Sequence, residues 1–170
     1  MIDDKALFAL SERIGQQLKA AGRRLATAES CTGGWVAKAC TDIAGSSQWF
    51  ECGFVTYSNV AKMRDLGVSE QTLANHGAVS EATVREMAAG ALRVAAVDIA
   101  VAISGIAGPD GGTPTKPVGT VWFAVASRRA TETVVTAEVQ LFPGDRELIR
   151  RRSVERALLL VQAAEGSPAA

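Results

Sequence analysis

Apolar positions recur with two different periods along the chain. Leu7, Leu10, Ile14 and Leu18 fall at helical spacing, which predicts an amphipathic helix over 5–20 stopped by Gly22. Residues 24–28 read as a short strand running into Glu29-Ser30-Cys31-Thr32-Gly33-Gly34, followed by a helix to about Thr41. Residues 48–57, with Phe50, Phe54 and Val55, read as a second strand. Ser80 is placed to cap a helix over 81–96, where Val84, Met87, Ala91 and Leu92 share one face. Residues 98–103 are almost wholly apolar, as in a central strand covered on both faces, and lead into a glycine-rich loop over 104–112. Residues 119–127 and 131–141 read as a hairpin about Arg128-Arg129-Ala130. A last helix after Pro143-Gly144-Asp145 carries Val154, Ala157, Leu158 and Val161 as its stripe, and 166–170 read as a frayed tail.

Strands separated by helices imply a sheet covered on both faces, and the late hairpin makes that sheet mixed. Ligands of such folds bind beyond the carboxyl ends of the strands. Two loops rich in serine and glycine leave strands there, 29–34 and 104–112.

Composition narrows the function classes. The 170 residues suit one domain, expected to span 1–170. Lysine plus arginine and aspartate plus glutamate both number 18, so a protein that coats nucleic acid is not expected. No apolar run reaches the ~20 residues of a membrane span, and the acidic start Met1-Ile2-Asp3-Asp4 is unlike a secretory signal. Cys31, Cys40 and Cys52 lack CxxC spacing, which fits a reducing cytoplasm. With His76 the single histidine, a zinc site and a Ser-His-Asp triad are both disfavoured.

The chemistry therefore falls to other residues. A hydroxyl between a strand end and a helix start lies near unpaired N–H groups that can hold an oxyanion or a phosphate. Ser30 or Thr32 could equally cap that helix, and Cys31 is a rival nucleophile. A serine needs a base, and lysine serves once burial or cationic neighbours lower its pKa. Lys62, just past a strand end with Arg64 close by, is one choice, although local sequence does not separate it from an exposed lysine. Lys38 points away from the helix start, and His76 reads as a surface or capping residue. The 104–112 loop lacks the P-loop, Rossmann and Gly-x-Ser-x-Gly patterns, and reads either as a phosphate or sugar cradle or as a tight turn. Arg146, opening the last helix, can bind phosphate, whereas Arg150, Arg151, Arg152 and Arg156 read as a solvated face.

Five ordered motifs resemble the CinA C-terminal domain family. They are Thr27-Ala28-Glu29-Ser30-Cys31-Thr32-Gly33-Gly34, Phe54-Val55-Thr56-Tyr57-Ser58-Asn59 with Lys62, His76-Gly77-Ala78-Val79-Ser80, residues 104–112, and Pro117-Val118-Gly119-Thr120-Val121. The resemblance runs from the first helix to the last and points to the family's stand-alone amidohydrolase form. It implies an α/β fold, a three-layer α/β/α sandwich with a mixed, mostly parallel sheet. It implies hydrolysis of nicotinamide mononucleotide to nicotinate mononucleotide and ammonia by a serine–lysine mechanism, with Ser30, Lys62 and Tyr57 as catalytic residues. No cofactor, metal, nucleic acid or membrane is implied, and a homo-oligomer is expected. Within that frame Cys31, Thr32, Gly33 and Gly34 are expected to hold the oxyanion. Ser104, Gly105, Ala107, Gly108 and Arg146 are expected at the ribose and phosphate. The nucleotide-hydrolysing N-terminal domain of larger CinA proteins has no counterpart here. The alternative is a non-catalytic nucleotide-binding or protein-interaction module of the CinA type.

Overall fold

A computed structural model of the chain describes residues 3–130 and 132–166. In chain order they form α1 (Asp4–Ala21), β1 (Leu25–Glu29), α2 (Trp35–Thr41), a 3-10 turn (Ser46–Gln48) and β2 (Phe50–Val55). There follow α3 (Asn59–Leu66), α4 (Glu70–His76), α5 (Glu81–Val94), β3 (Ile99–Gly105), β4 (Thr120–Arg128), β5 (Thr133–Leu141) and α6 (Arg146–Gly166). The sheet order is β2-β1-β3-β4-β5. β1 pairs in parallel with both β2 and β3, while β4 is antiparallel to β3 and to β5. All strands but β4 thus run the same way, and the sheet is mixed and mostly parallel as expected.

The apolar 98–103 run resolves into two faces of different size. Ile99, Val101 and Ile103 join Leu25, Val121, Phe123 and Val125 beneath α1, α2 and α6. Ala100 and Ala102 join Ala26, Ala28, Ala124 and Ala126 beneath α5, whose Val84, Met87, Ala88 and Ala91 pack on them. Side chains alternate across a strand, so every second residue serves one layer. The bulky face is filled by three helices, and the alanine face lets α5 approach closely. The three layers expected from the resemblance are present.

Several boundaries differ from the sequence reading. Two helices were not expected, α3 and α4, each started by a serine whose side chain accepts the N–H three residues on: Ser58 from Ala61 and Ser69 from Thr72. The apolar period fails over α3 because its buried residues are Lys62 and Leu66, a lysine standing where a stripe residue belongs. Glu29 ends β1 rather than opening the loop, and Ser104 and Gly105 end β3. Gly166 closes α6, and the remainder of the expected frayed tail, 167–170, lies outside the described residues, as does Thr131 at the expected start of the last strand.

Topology and register bring the loops together. Val55 pairs with Glu29, Glu29 with Ile103, Gly105 with Val121, and Thr120 with Leu141. The turns after β1, β2 and β3, the entry to β4 and the exit of β5 all leave one edge of the sheet.

Candidate active site

The turn after β1 is built around a buried carboxylate. Ser30 N–H donates to Ile103 O at 3.0 Å and extends the β1–β3 ladder by one residue. Gly33 and Gly34 then take left-handed φ values of 64° and 94°, which favour glycine. Glu29, fully buried, accepts from the N–H groups of Gly34 (3.0 Å), Val36 (3.0 Å) and Ala37 (2.8 Å). The start of α2 therefore serves an internal anion, and neither Ser30 nor Thr32 caps it. Gly33 N–H is also engaged, donating to Ser30 O at 3.1 Å. This corrects the expectation for Gly33 and Gly34, whose amides are occupied within the turn. The Thr32 N–H has no partner among the described residues, whereas the Cys31 N–H is turned to its own thiol.

Lys62 reaches this turn from α3. It is 1% exposed, and its Nζ lies 2.7 Å from Thr56 O, 3.1 Å from Ser30 Oγ and 3.5 Å from Tyr57 O. Among the described residues no carboxylate pairs with it. A buried ammonium without a counter-ion is costly, and burial holds the Lys62 pKa below the usual lysine value. The neighbours fit a neutral amine. Its two N–H groups can donate to the two carbonyls, which only accept. Its lone pair then faces the one neighbour that can give a proton, the Ser30 hydroxyl. Ser30 itself is largely buried, 9% exposed, and its hydroxyl lies in a buried contact with the amine.

A depressed lysine pKa has a definite sign in stability. Between the lowered folded value and the ~10.4 of a free lysine, the unfolded chain binds more protons, so stability rises with pH across that window. Lys62→Met is expected to flatten this rise in urea midpoints measured against pH. A slope unchanged in the variant would contradict the assignment.

Cys31 is 6% exposed, and burial pushes its thiol up to about 11. At pH 7 roughly one thiol in 10⁴ is then ionised, and the thiolate is the nucleophilic form. Cys31→Ala is therefore expected to keep ammonia release within a few-fold of the parent. A dead Cys31→Ala beside an active Ser30→Ala, in the same assay, would transfer the role to the thiol.

The remaining expected residues divide. The phenol of Tyr57 is not brought to Ser30: the residue is 62% exposed and its Oη accepts from Arg146 Nη2 at 3.3 Å. Arg146 Nη1 donates to Gly108 O at 2.8 Å, so Arg146, Tyr57 and the 106–112 loop do meet. Buried Ser104 donates to Ala78 O at 2.7 Å, which ties the 77–79 segment to β3 rather than facing a ligand. A Cβ at Gly105 would meet Val121 and Thr120 at 2.7–2.9 Å, a packing demand of the β3–β4 pair. Ala107 is buried beside it. His76 is exposed at the end of α4, and Lys38 pairs with Asp42. The arginines of α6 correct the solvated-face reading. Arg151 pairs with Asp4 and Glu147, Arg156 holds Glu138 through two bonds of 2.6 Å, and Arg150 donates to Cys31 O and Thr32 O. Arg146 and Arg150 stand one helical turn apart, a spacing that could have placed both at the loops.

Sequence comparison gives this arrangement a family. A model described as the CinA C-terminal domain matches residues 7–164. The chain belongs to the CinA C-terminal domain family. The Escherichia coli relative named nicotinamide-nucleotide amidohydrolase PncC is 62% identical over 155 residues, covering 91% of this chain and 92% of that one. The CinA-like protein of Chloroherpeton thalassium is 53% identical over 153 residues, 90% of this chain but 36% of its own length. Among solved structures, the competence damage-inducible protein A (ComA) of Klebsiella pneumoniae superposes with a TM-score of 0.88 at 42% identity, over 95% of this chain and 99% of that one. In this CinA domain the Ser30–Lys62 contact is made by two of the motifs that carried the resemblance.

Proposed function

We propose that the chain acts as one catalytic domain that hydrolyses nicotinamide mononucleotide to nicotinate mononucleotide and ammonia, through an ester on Ser30. The observation that carries the mechanism is the buried Lys62 amine 3.1 Å from Ser30 Oγ, with no carboxylate paired with it among the described residues. The naming of the 62%-identical relative as a nicotinamide-nucleotide amidohydrolase supports the substrate.

Lys62 takes the Ser30 proton as Oγ attacks the carboxamide carbon. The oxyanion that forms is received by the Thr32 N–H. The Lys62 ammonium returns the proton to the amide nitrogen, the C–N bond breaks and ammonia leaves. Water then attacks the ester and gives one proton to Lys62, which passes it to Ser30 Oγ as the C–O bond breaks; the acid product loses its remaining proton to solvent and departs as carboxylate. The positively charged pyridinium ring makes the carboxamide carbon electrophilic. The Tyr57 phenol is engaged by Arg146, so the leaving amine takes its proton from Lys62. Arg146 and the 106–112 loop receive the ribose phosphate, a charge-assisted contact for which a guanidinium is well shaped.

No helix among the described residues is long and apolar enough to cross a membrane. The three free cysteines fit a reducing cytoplasm. Val55, Tyr57 and Val60 are exposed near one sheet edge, and Val139 and Leu141 at the other, which supports a homo-oligomer. The direct experiment is an ammonia-release assay on purified protein, comparing nicotinamide mononucleotide with free nicotinamide and adding no metal. Release only from the nucleotide is expected. Equal rates on both would remove the role given to Arg146, and no release from either would end the proposal.

A further inference from the structure

We propose that Arg150 is a positioning residue for acyl transfer: its guanidinium fixes and polarises the Cys31–Thr32 amide, whose N–H receives the oxyanion. The proposal rests on the reading of Ser30 as the nucleophile.

Arg150 lies on α6, far from the turn in sequence. Its Nε donates to Cys31 O at 3.0 Å and its Nη2 to Thr32 O at 2.8 Å. Its Cζ stands 5.4 Å from the centre of the Trp35 ring, a cation–π contact that it shares with Arg151 at 5.0 Å. Gly33, which the left-handed φ of 64° favours as glycine, lies in van der Waals reach of the guanidinium, its Cβ position 3.4 Å from Nη2. Arg151 and Arg156 on the same helix are neutralised by carboxylates, whereas no carboxylate pairs with Arg150 among the described residues. Its charge is directed at two peptide carbonyls.

The consequence follows from the planar trans peptide. The Cys31 carbonyl and the Thr32 N–H belong to one amide and point in opposite directions. With the carbonyl fixed on Arg150, the N–H is fixed facing away from it, and that N–H has no partner among the described residues. A cationic donor on the carbonyl draws electron density through the amide and strengthens the N–H as a donor. The second bond, to Thr32 O, shares its acceptor with Trp35 N–H at 3.3 Å and ties the start of α2 to the same guanidinium. Glu29 grips the turn from below through Gly34, Val36 and Ala37. Between these two holds, Thr32 alone in the 31–34 turn keeps an N–H with no partner among the described residues.

Steady-state kinetics of Arg150→Met and Arg150→Lys with nicotinamide mononucleotide test this. A donor that acts on the developing oxyanion changes kcat, so Arg150→Met is expected to lose about 10-fold or more in kcat, with KM within about 2-fold. The acid limb of the pH profile should stay where Lys62 sets it. Arg150→Lys should fall between, because an ammonium is one compact charge and cannot match the two-pronged contact. A kcat within about 2-fold of the parent in Arg150→Met, or a loss confined to KM, overturns the proposal. Should Arg150→Met fail to fold, Arg150→Lys is held to the same split between kcat and KM. Wild-type protein that releases no ammonia from the nucleotide would sink the substrate assignment instead. Arg150 is then judged by fluorophosphonate labelling of Ser30, in which a P–O bond forms, fluoride leaves and Lys62 takes the proton. Labelling slowed about 10-fold in Arg150→Met supports the role, and an unchanged rate overturns it.

Discussion

Lys62→Met is expected to lower kcat for ammonia release by roughly 10³-fold or more, with the Ser30→Ala, Lys62→Met double variant no slower than either single variant. The reason is the shared proton. Ser30 Oγ is a weak nucleophile until the amine 3.1 Å away removes its hydrogen, and the amine does nothing without the hydroxyl. Two groups that act as one unit are removed by losing either. A double-mutant cycle in a coupled ammonia assay reads this directly. Losses that multiply would mean that the two residues act separately. Lys62→Arg should be as inactive as Lys62→Met, since a guanidinium stays protonated and offers no lone pair.

Gly90→Ala is expected to lower both stability and activity, although the residue touches no part of the chemistry. A Cβ at Gly90 would lie 1.9 Å from Leu66 O and 2.8 Å from Leu66 C. Both are backbone atoms, so no rotamer relieves the overlap. Leu66 is the last residue of α3, the helix that carries Lys62. The gain of roughly 1 kcal/mol that alanine has over glycine inside a helix is outweighed by overpacking of about 1–3 kcal/mol or more. The two helices must part, and Lys62 Nζ moves with α3. Thermal melts should show a lowered Tm, and kcat should drop more than the melt alone explains. Gly166→Ala is the control, since no described residue lies within 4 Å of its Cβ position. A Gly90→Ala protein as stable and active as the parent would show that α3 is not held by this contact.

Much of the fold was legible because helix and strand leave different periods. The stripes of α1, α5 and α6 and the almost wholly apolar run of β3 all stand where their spacing put them. What stayed hidden has a common physical cause, a polar residue doing the work of an apolar one. Lys62 occupies the inward position of α3, so the helix that carries the base showed no apolar stripe. Glu29 ends a strand whose five residues are all buried, and its carboxylate replaces a capping side chain on α2. Arg150 passed as a surface charge because its partners are carbonyls 118 and 119 residues away, which no local pattern records. Sequence could place the loops at one edge of the sheet, since parallel strands share their carboxyl ends. It could not say which hydroxyl faced which amine.

The central claim is a covalent one, and the peptide carrying Ser30 tests it most directly. Purified protein would be mixed with nicotinamide mononucleotide, quenched in acid during turnover, digested and examined by mass spectrometry. The account predicts a nicotinate mononucleotide ester on that serine, absent from both Ser30→Ala and Lys62→Met. An adduct on Cys31, or full-rate ammonia release by Ser30→Ala in the same preparation, would contradict it.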